Sequence, residues 1–198
     1  TNYVSVQGTM SFWGRQWGGN LINATVDGID ETIKNDTTSR HEKTGKTLNY
    51  NATAYYLGTG KKVLDKVFMG VSTKLIQEKA AGYKATGFGL DLGFLYKPLD
   101  NVTLGASIQN LIKPVLQWDT PGKGKDTIPM IIKVGGHTRY MEGKLINTMN
   151  IDFRRNRAVR IGFGLEYLMS EFLSFRGGVD KGEFSMGTGL SIGAIRLD

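Results

Sequence analysis

Residues 86 to 112 hold two strand-like segments in which bulky and small side chains alternate. In the first segment Phe88, Leu90, Leu92, Phe94 and Tyr96 share one face, and Gly87, Gly89, Asp91 and Gly93 share the other. A turn at 98–101 follows, and the second segment sets Val102, Leu104, Ala106 and Ile108 opposite Thr103, Gly105, Ser107 and Gln109. Because successive side chains of a strand point to opposite faces, this pattern predicts a β-hairpin with an apolar face and a face of small residues.

The second face decides between two classes of all-β protein. A soluble β-sandwich buries its apolar face and covers the other with lysine, glutamate and threonine. Here the other face is mostly glycine and serine, as expected when small residues line a lumen and bulky residues meet lipid. The hairpin therefore predicts an antiparallel transmembrane β-barrel, and the soluble β-sandwich binding module stays as an alternative.

The composition agrees with a barrel. The chain has 198 residues, 27 of them glycine, and no cysteine. No run of about 18 apolar residues occurs, which excludes a transmembrane helix, whereas the alternating strands of a barrel average to near-neutral hydropathy. The net charge of +7 is spread along the chain without a nucleic-acid-binding motif, so no nucleic-acid partner is predicted.

The same alternation recurs along the whole chain and predicts about eleven strands. Two long polar loops at 30–47 and 113–129 and a modest one at 78–85 fall at one end of these strands, and shorter turns fall at the other, the arrangement of outer-membrane barrels. An odd strand count and the absence of a signal peptide lead us to expect one barrel domain, 1–198, that is incomplete at both ends. The predicted strands are 3–13, 20–28, 48–57, 66–77, 87–96, 102–112, 130–140, 144–154, 159–168, 172–180 and 184–197.

Charged residues on the predicted small-residue face form the first candidate site. An arginine facing lipid at the bilayer midplane costs about 2–4 kcal/mol, so we expect these side chains to face the lumen. They would form either a structural ladder of ion pairs or a charged path for an anionic ligand. The predicted ladder consists of Lys74, Asp91, Lys133, His137, Arg139, Asp152, Arg154, Arg160, Glu166 and Arg176.

The loops provide the second candidate site. Tyr83, Pro114, Trp118 and Pro121 lie in predicted external loops, where they would contact a partner or ligand or pack within the loop. No catalytic motif appears, and neither histidine has a second ligand at metal-binding spacing, so we predict no enzyme, no metal and no cofactor.

Three segments carry a family resemblance: MGVSTKLI from Met69, ATGFGLDLGFLYKP from Ala85 and VTLGASIQNLIKP from Val102. They resemble the PorV/PorQ group of outer-membrane proteins, within the FadL-like barrels, and IPMIIKVGGHTRY from Ile128 resembles the strand after the long loop in that group. The terminal segments typical of the group are absent, so no ligand residues are assigned by analogy.

The resemblance implies a 14-stranded FadL-like barrel in the bacterial outer membrane. It implies a non-enzymatic role as partner or carrier in type IX-like surface protein export, with outer-membrane lipid and secretion proteins as partners. The alternative it implies is a FadL-like transporter of hydrophobic carboxylates, with a lipid or fatty-acid ligand bound by lumen arginines and lysines.

Overall fold

The computed structural model describes residues 2–34, 40–192 and 195–197, and nearly all of them lie in β-strands. Each strand pairs antiparallel where its register is resolved, and one 3₁₀ turn spans Met141–Gly143. The strands within the described residues are β1 Asn2–Phe12, β2 Arg15–Lys34, β3 His41–Leu64, β4 Val67–Ala80, β5 Tyr83–Leu99, β6 Val102–Ile112, β7 Val115–Trp118, β8 Lys125–Thr127, β9 Ile131–Tyr140, β10 Leu145–Arg154, β11 Arg160–Leu168, β12 Leu173–Asp180, β13 Glu183–Ile192 and β14 Ile195–Leu197.

The strand order follows the chain. It runs β1-β2-β3-β4-β5-β6-β9-β10-β11-β12-β13-β14, and β7 and β8 lie off this path, with β7 paired to β5 and β8. Among the described residues, no helix is long and apolar enough to cross a membrane. The prediction of an all-β antiparallel fold is confirmed.

The chain divides into two compact units. The first comprises 1–59, 71–90 and 110–128, and the second comprises 60–70, 91–109 and 129–198. In both units the bulky residues predicted to share a face include exposed side chains, such as Phe88 in the first at 51% and Phe163 in the second at 54%. We call this the apolar face and the opposite one the small-residue face.

Several predicted loops are strand or tight turn instead. In the polar stretch 30–47, residues 30–34 lie in β2 and 41–47 lie in β3; the 78–85 loop is only the two-residue turn 81–82; and residues 15–19, between the first two predicted strands, lie inside β2. The turn predicted at 58–65 was also wrong, because Gly58 and Gly60 lie inside β3. Backbone pairing holds a strand together without apolar side chains, so polar composition alone did not mark these boundaries.

In part of β2 and β3, polar side chains lie on the face that is apolar elsewhere. The 20 and 24 residues of these strands exceed the roughly 9–11 that a tilted membrane-spanning strand needs. On the apolar face four side chains form a closed ring of hydrogen bonds: Asn23 donates to Thr53, Thr53 to Asn51, Asn51 to Thr25 and Thr25 to Asn23. Each of these four side chains therefore has hydrogen-bond partners within the ring, although it lies on a face that is apolar elsewhere.

Candidate functional site

The cross-strand registers place the charged residues of β9 to β12 on one face. Lys133 lies opposite Ser107 and Asp152, and Asp152 lies opposite Arg160. Glu166, six residues beyond Arg160 on β11, lies opposite Arg176. Strand alternation then assigns the predicted ladder residues of these strands to the small-residue face.

Asp152 anchors one end of this ladder. It is 3% exposed, and its Oδ2 lies 3.5 Å from Lys133 Nζ and 3.8 Å from an Arg154 guanidinium nitrogen. Its Oδ1 has no hydrogen-bond partner within the described residues. Two cations therefore share one buried carboxylate, which leaves this end of the ladder with a net positive charge.

The arginines of β11 and β12 are each paired with a carboxylate. The Arg160 guanidinium contacts both oxygens of Asp180, and Arg176 Nε donates to Glu166 Oε1 at 2.9 Å. Sequence reasoning missed Asp180, although its spacing of four from Arg176 assigned both residues to one face. These pairs favour the structural role of the ladder over an open anion site at either arginine.

His137 and Arg139 share the face but stand apart from these pairs. His137 lies opposite Thr103 and Thr148, and Arg139 lies opposite Ile146. On β9 to β12 this face carries five cations and three carboxylates. The cations are Lys133, Arg139, Arg154, Arg160 and Arg176, and the carboxylates are Asp152, Glu166 and Asp180. The formal charges of these eight side chains sum to +2.

A concavity of about 520 Å³ lies over β10 to β13 on the second unit. Its floor includes Gly162, Gly164, Gly178 and Gly187, and its sides include both arginine–carboxylate pairs. A Cβ at Gly164 would lie 2.6 Å from Thr148 Oγ1. The absence of a side chain at Gly164 therefore leaves room for the Thr148 side chain to lie over β11. This wall offers hydroxyl, amide and paired ionic groups to a solute, together with the backbone of its glycines.

The first unit carries a different wall, which we call the Pro114 cluster: Ala85, Gly87, Gly89, Pro114 and Leu116. Pro114 is fully buried, and Ala85 and Leu116 are 2% and 3% exposed, the buried apolar core of the described residues. A Cβ on Gly89 would lie 2.6 Å from Pro114 Cγ, and one on Gly87 would lie 3.1 Å from Leu116 Cδ2. The cluster therefore packs on the small-residue face of β5.

A break between β6 and β7 produces this cluster. Asn110, buried at 4% exposure, has a φ of 58°, and β7 then pairs with the start of β5 through Ala85 opposite Trp118. The Pro114 carbonyl accepts a hydrogen bond from the Ile128 N–H at 2.9 Å, which ties the two sides of the hairpin at its base. The segment predicted as the long loop 113–129 is thus a hairpin that turns apolar side chains toward the small-residue face.

Lys74 joins the Pro114 cluster. It is 6% exposed, its Nζ lies 5.7 Å from the centre of the Tyr56 ring, and its Cε lies 3.0 Å from the Cβ position of Gly89. The cluster is therefore apolar with one ammonium group at its edge. The remaining predicted ladder residue, Asp91, lies between Gly89 and Gly93 on the same strand and is half-buried.

The predicted loop contacts separate into two kinds. Tyr83 is 42% exposed, Pro121 is exposed in the hairpin turn, and Trp118 is half-buried with its indole N–H donated to Asp126 at 2.7 Å. The Pro114 ring is buried against Gly89, an arrangement closer to the predicted alternative of packing than to a surface contact. Proline in a polar stretch indicates a loop, and no local signal in the sequence says that such a loop folds back on a glycine strand.

Comparisons with known proteins support the barrel. A family model described as a family of unknown function, DUF5723, matches residues 17–111. No curated protein matches the chain. The solved toluene transporter TodX of Pseudomonas putida is similar with a TM-score of 0.68 and 12% identity, over 96% of this chain and 73% of that one.

A second transporter gives the same result. The toluene transporter TbuX of Ralstonia pickettii has a TM-score of 0.68 and 14% identity, over 96% of this chain and 72% of that one. Both proteins are transporters rather than enzymes. At these identities the likeness establishes the fold: the chain has the antiparallel β-barrel architecture of outer-membrane proteins.

Proposed function

We propose that this protein is an outer-membrane channel for small hydrophobic molecules. The observation that carries the proposal is the Pro114 cluster, in which the hairpin of β7 and β8 packs buried apolar side chains on the small-residue face, the face that lines the lumen of a barrel. Elsewhere on that face the described side chains are mostly small, polar or ion-paired.

The physical argument compares solutes. Pro114 and Leu116 are almost fully buried, so a hydrophobic molecule would contact them only when the hairpin moves off β5, and it would then gain about 25 cal/mol for each Å² of apolar surface that leaves water. An ion or sugar finds no groups there to replace its hydration shell, and apolar sections of channels oppose its passage. The fold shared with TodX and TbuX, both described as toluene transporters, supports this substrate class.

A FadL-like transporter of hydrophobic carboxylates, the alternative given above, needs a cation to bind the carboxylate group of its ligand. Arg160 and Arg176 are already neutralised by Asp180 and Glu166, so a carboxylate at either arginine would have to displace a protein partner. We therefore propose hydrophobic solutes in general as the substrate class. TodX and TbuX are described as transporters and not as secretion components, so they do not support a role in surface protein export.

The test is permeation through the purified protein in liposomes. We expect Leu116→Ser to lower the entry of a neutral monoaromatic such as toluene several-fold, because it replaces a buried apolar side chain of the Pro114 cluster with a hydroxyl group. Val115→Ser is the matched control, since Val115 lies next in sequence, is 43% exposed and points to the other face. Equal toluene entry through wild type and Leu116→Ser, with both variants folded, would refute the proposal.

A second comparison addresses the carboxylate. The channel is offered decanoate and toluene in parallel, with Arg160→Ala and Arg176→Ala as variants. We expect toluene entry to persist in both. A collapse of decanoate entry alone would show that the arginines select carboxylates, and a collapse of both solutes would make the ion pairs structural.

A further inference from the structure

Three exposed lysines lie on the apolar face of the first unit, just beyond its apolar residues. Lys84 precedes Phe88 by four residues on β5, and Lys79 follows Leu75 by four residues on β4. Lys125 lies opposite Gln117, which lies opposite Thr86. Strand alternation places all three lysines, the lysine rim, on the same face as the exposed Phe88.

The tight turn between β4 and β5 brings two of these lysines together. The turn is Ala81–Gly82, with φ of 51° and 85°, and a two-residue turn fixes the register of the strands that it joins. Lys79 then lies directly opposite Lys84. The same register sets Lys74 opposite Gly89, in agreement with the 3.0 Å approach between them.

Two like charges directly across a strand pair repel, because their Cβ atoms are about 5 Å apart. Within the described part of the chain none of the three lysines forms an ion pair. The Oδ1 of Asp119 accepts the Lys84 backbone N–H at 2.7 Å. Asp126 lies on the opposite face and accepts from Trp118.

We propose that the lysine rim binds the phosphate groups of anionic lipid in the surrounding membrane. The rim lies where the lipid-facing surface changes from apolar to polar, with Leu75 at 39%, Phe88 at 51% and Val115 at 43% exposure just before it. Lysine stems run along apolar surface and carry their ammonium groups to the head-group level. A lipid phosphate brings the negative charge that relieves the Lys79–Lys84 repulsion while its acyl chains cover the apolar residues.

The experiment measures lipid retention by the detergent-purified protein. Equal amounts of phosphatidylglycerol and phosphatidylcholine are added, and bound lipids are counted by native mass spectrometry. We expect wild type to retain at least fivefold more phosphatidylglycerol, and the triple variant Lys79→Gln/Lys84→Gln/Lys125→Gln to lose that preference. The control Lys123→Gln/Lys144→Gln/Lys181→Gln removes the same charge outside the rim and should keep it.

A thermal measurement separates the rim from a general charge effect. In neutral detergent without lipid, Lys84→Gln should raise the unfolding temperature because it removes the like-charge pair, and phosphatidylglycerol should stabilise wild type more than this variant. An unchanged lipid preference in the rim triple variant would overturn the proposal, and so would stabilisation by inorganic phosphate equal to that by phosphatidylglycerol. The inference is independent of the proposed transport, because the rim variant should leave toluene entry unchanged.

Discussion

Gly89 shows how one missing side chain shapes the lumen wall. The Pro114 ring and the Lys74 stem both occupy the space that a Cβ at this position would take. The proline ring is rigid, and the lysine is held between the Tyr56 ring and β5. The glycine is therefore needed here for space and not for backbone conformation.

We predict that Gly89→Ala destabilises the protein by about 1–3 kcal/mol, the usual cost of overpacking a filled site. The added methyl would lie 2.6 Å from Pro114 Cγ, so the hairpin must shift. The readout is the midpoint of urea unfolding, followed by the change in gel mobility between folded and heated samples. Gly187→Ala is the control, since nothing lies within 4 Å of its Cβ position; equal midpoints for both variants would contradict the packing described.

At the scale of single residues the sequence predicted faces better than contacts. Alternation assigned Arg160, Glu166 and Arg176 to one face, and the registers agree. It could not say which carboxylate each arginine meets, because that depends on the stagger between strands. The Arg160–Asp180 pair is diagonal, with Asp180 directly opposite Gly162, and no pattern within one strand encodes that offset.

At the scale of elements, the turn 81–82 has a backbone conformation that does not suit the alanine at its first position. Ala81 has a positive φ, which costs a residue with a Cβ about 1 kcal/mol, whereas Gly82 tolerates it. The turn Lys181–Gly182 has the same pair of positive φ values, 53° and 84°. Both are the two-residue hairpin connections that favour Asn-Gly.

We predict that Ala81→Asn stabilises the protein by up to about 1 kcal/mol, because asparagine adopts a positive φ more readily than alanine. Lys181→Asn should act in the same direction, since its turn has the same geometry, and Gly82→Ala should act in the opposite one. Urea unfolding midpoints measure all three. A lower midpoint for both asparagine variants would show that these turns do not have positive φ at their first residue.

The elements also show where polar composition misleads. The stretch 30–47 has few apolar residues, yet the described parts of it continue β2 and β3. Likewise 113–129 contains three prolines, yet it contributes β7, β8 and the buried Leu116. Loop signals mark where a strand is interrupted, but they do not reveal that the chain pairs again after the interruption.

At the scale of the whole molecule, the orientation of the two faces decides everything else. Phe88, Leu92 and Phe163 are 51%, 38% and 54% exposed, whereas Glu166 and Arg176 side chains are 23% and 29% exposed. A water-soluble protein would reverse this distribution, because exposed apolar surface costs free energy in water. In lipid the same distribution is favourable.

We predict that Phe163→Arg costs about 2–4 kcal/mol of folding free energy in a bilayer, the usual penalty for arginine on the lipid face near the midplane. Phe163 is the middle residue of the apolar side of β11, between Ile161 and Leu165. Ser185→Arg, an exposed position on the small-residue face of β13, should cost much less. Folding into phosphatidylcholine vesicles measures both, and an equal penalty for the two substitutions would refute the assignment of faces.

By itself the sequence determined the fold class and, outside β2 and β3, which side chains of a strand share a face, because alternation is a local property that a backbone of period two imposes on every residue. It also determined that the charged groups of β9 to β12 share the face of the glycines. The tertiary structure alone decided which charges pair and where β6 breaks. It also decided that Pro114 and Leu116 pack on Gly87 and Gly89, because register and the return of a hairpin onto a distant strand join residues whose positions in the chain are unrelated.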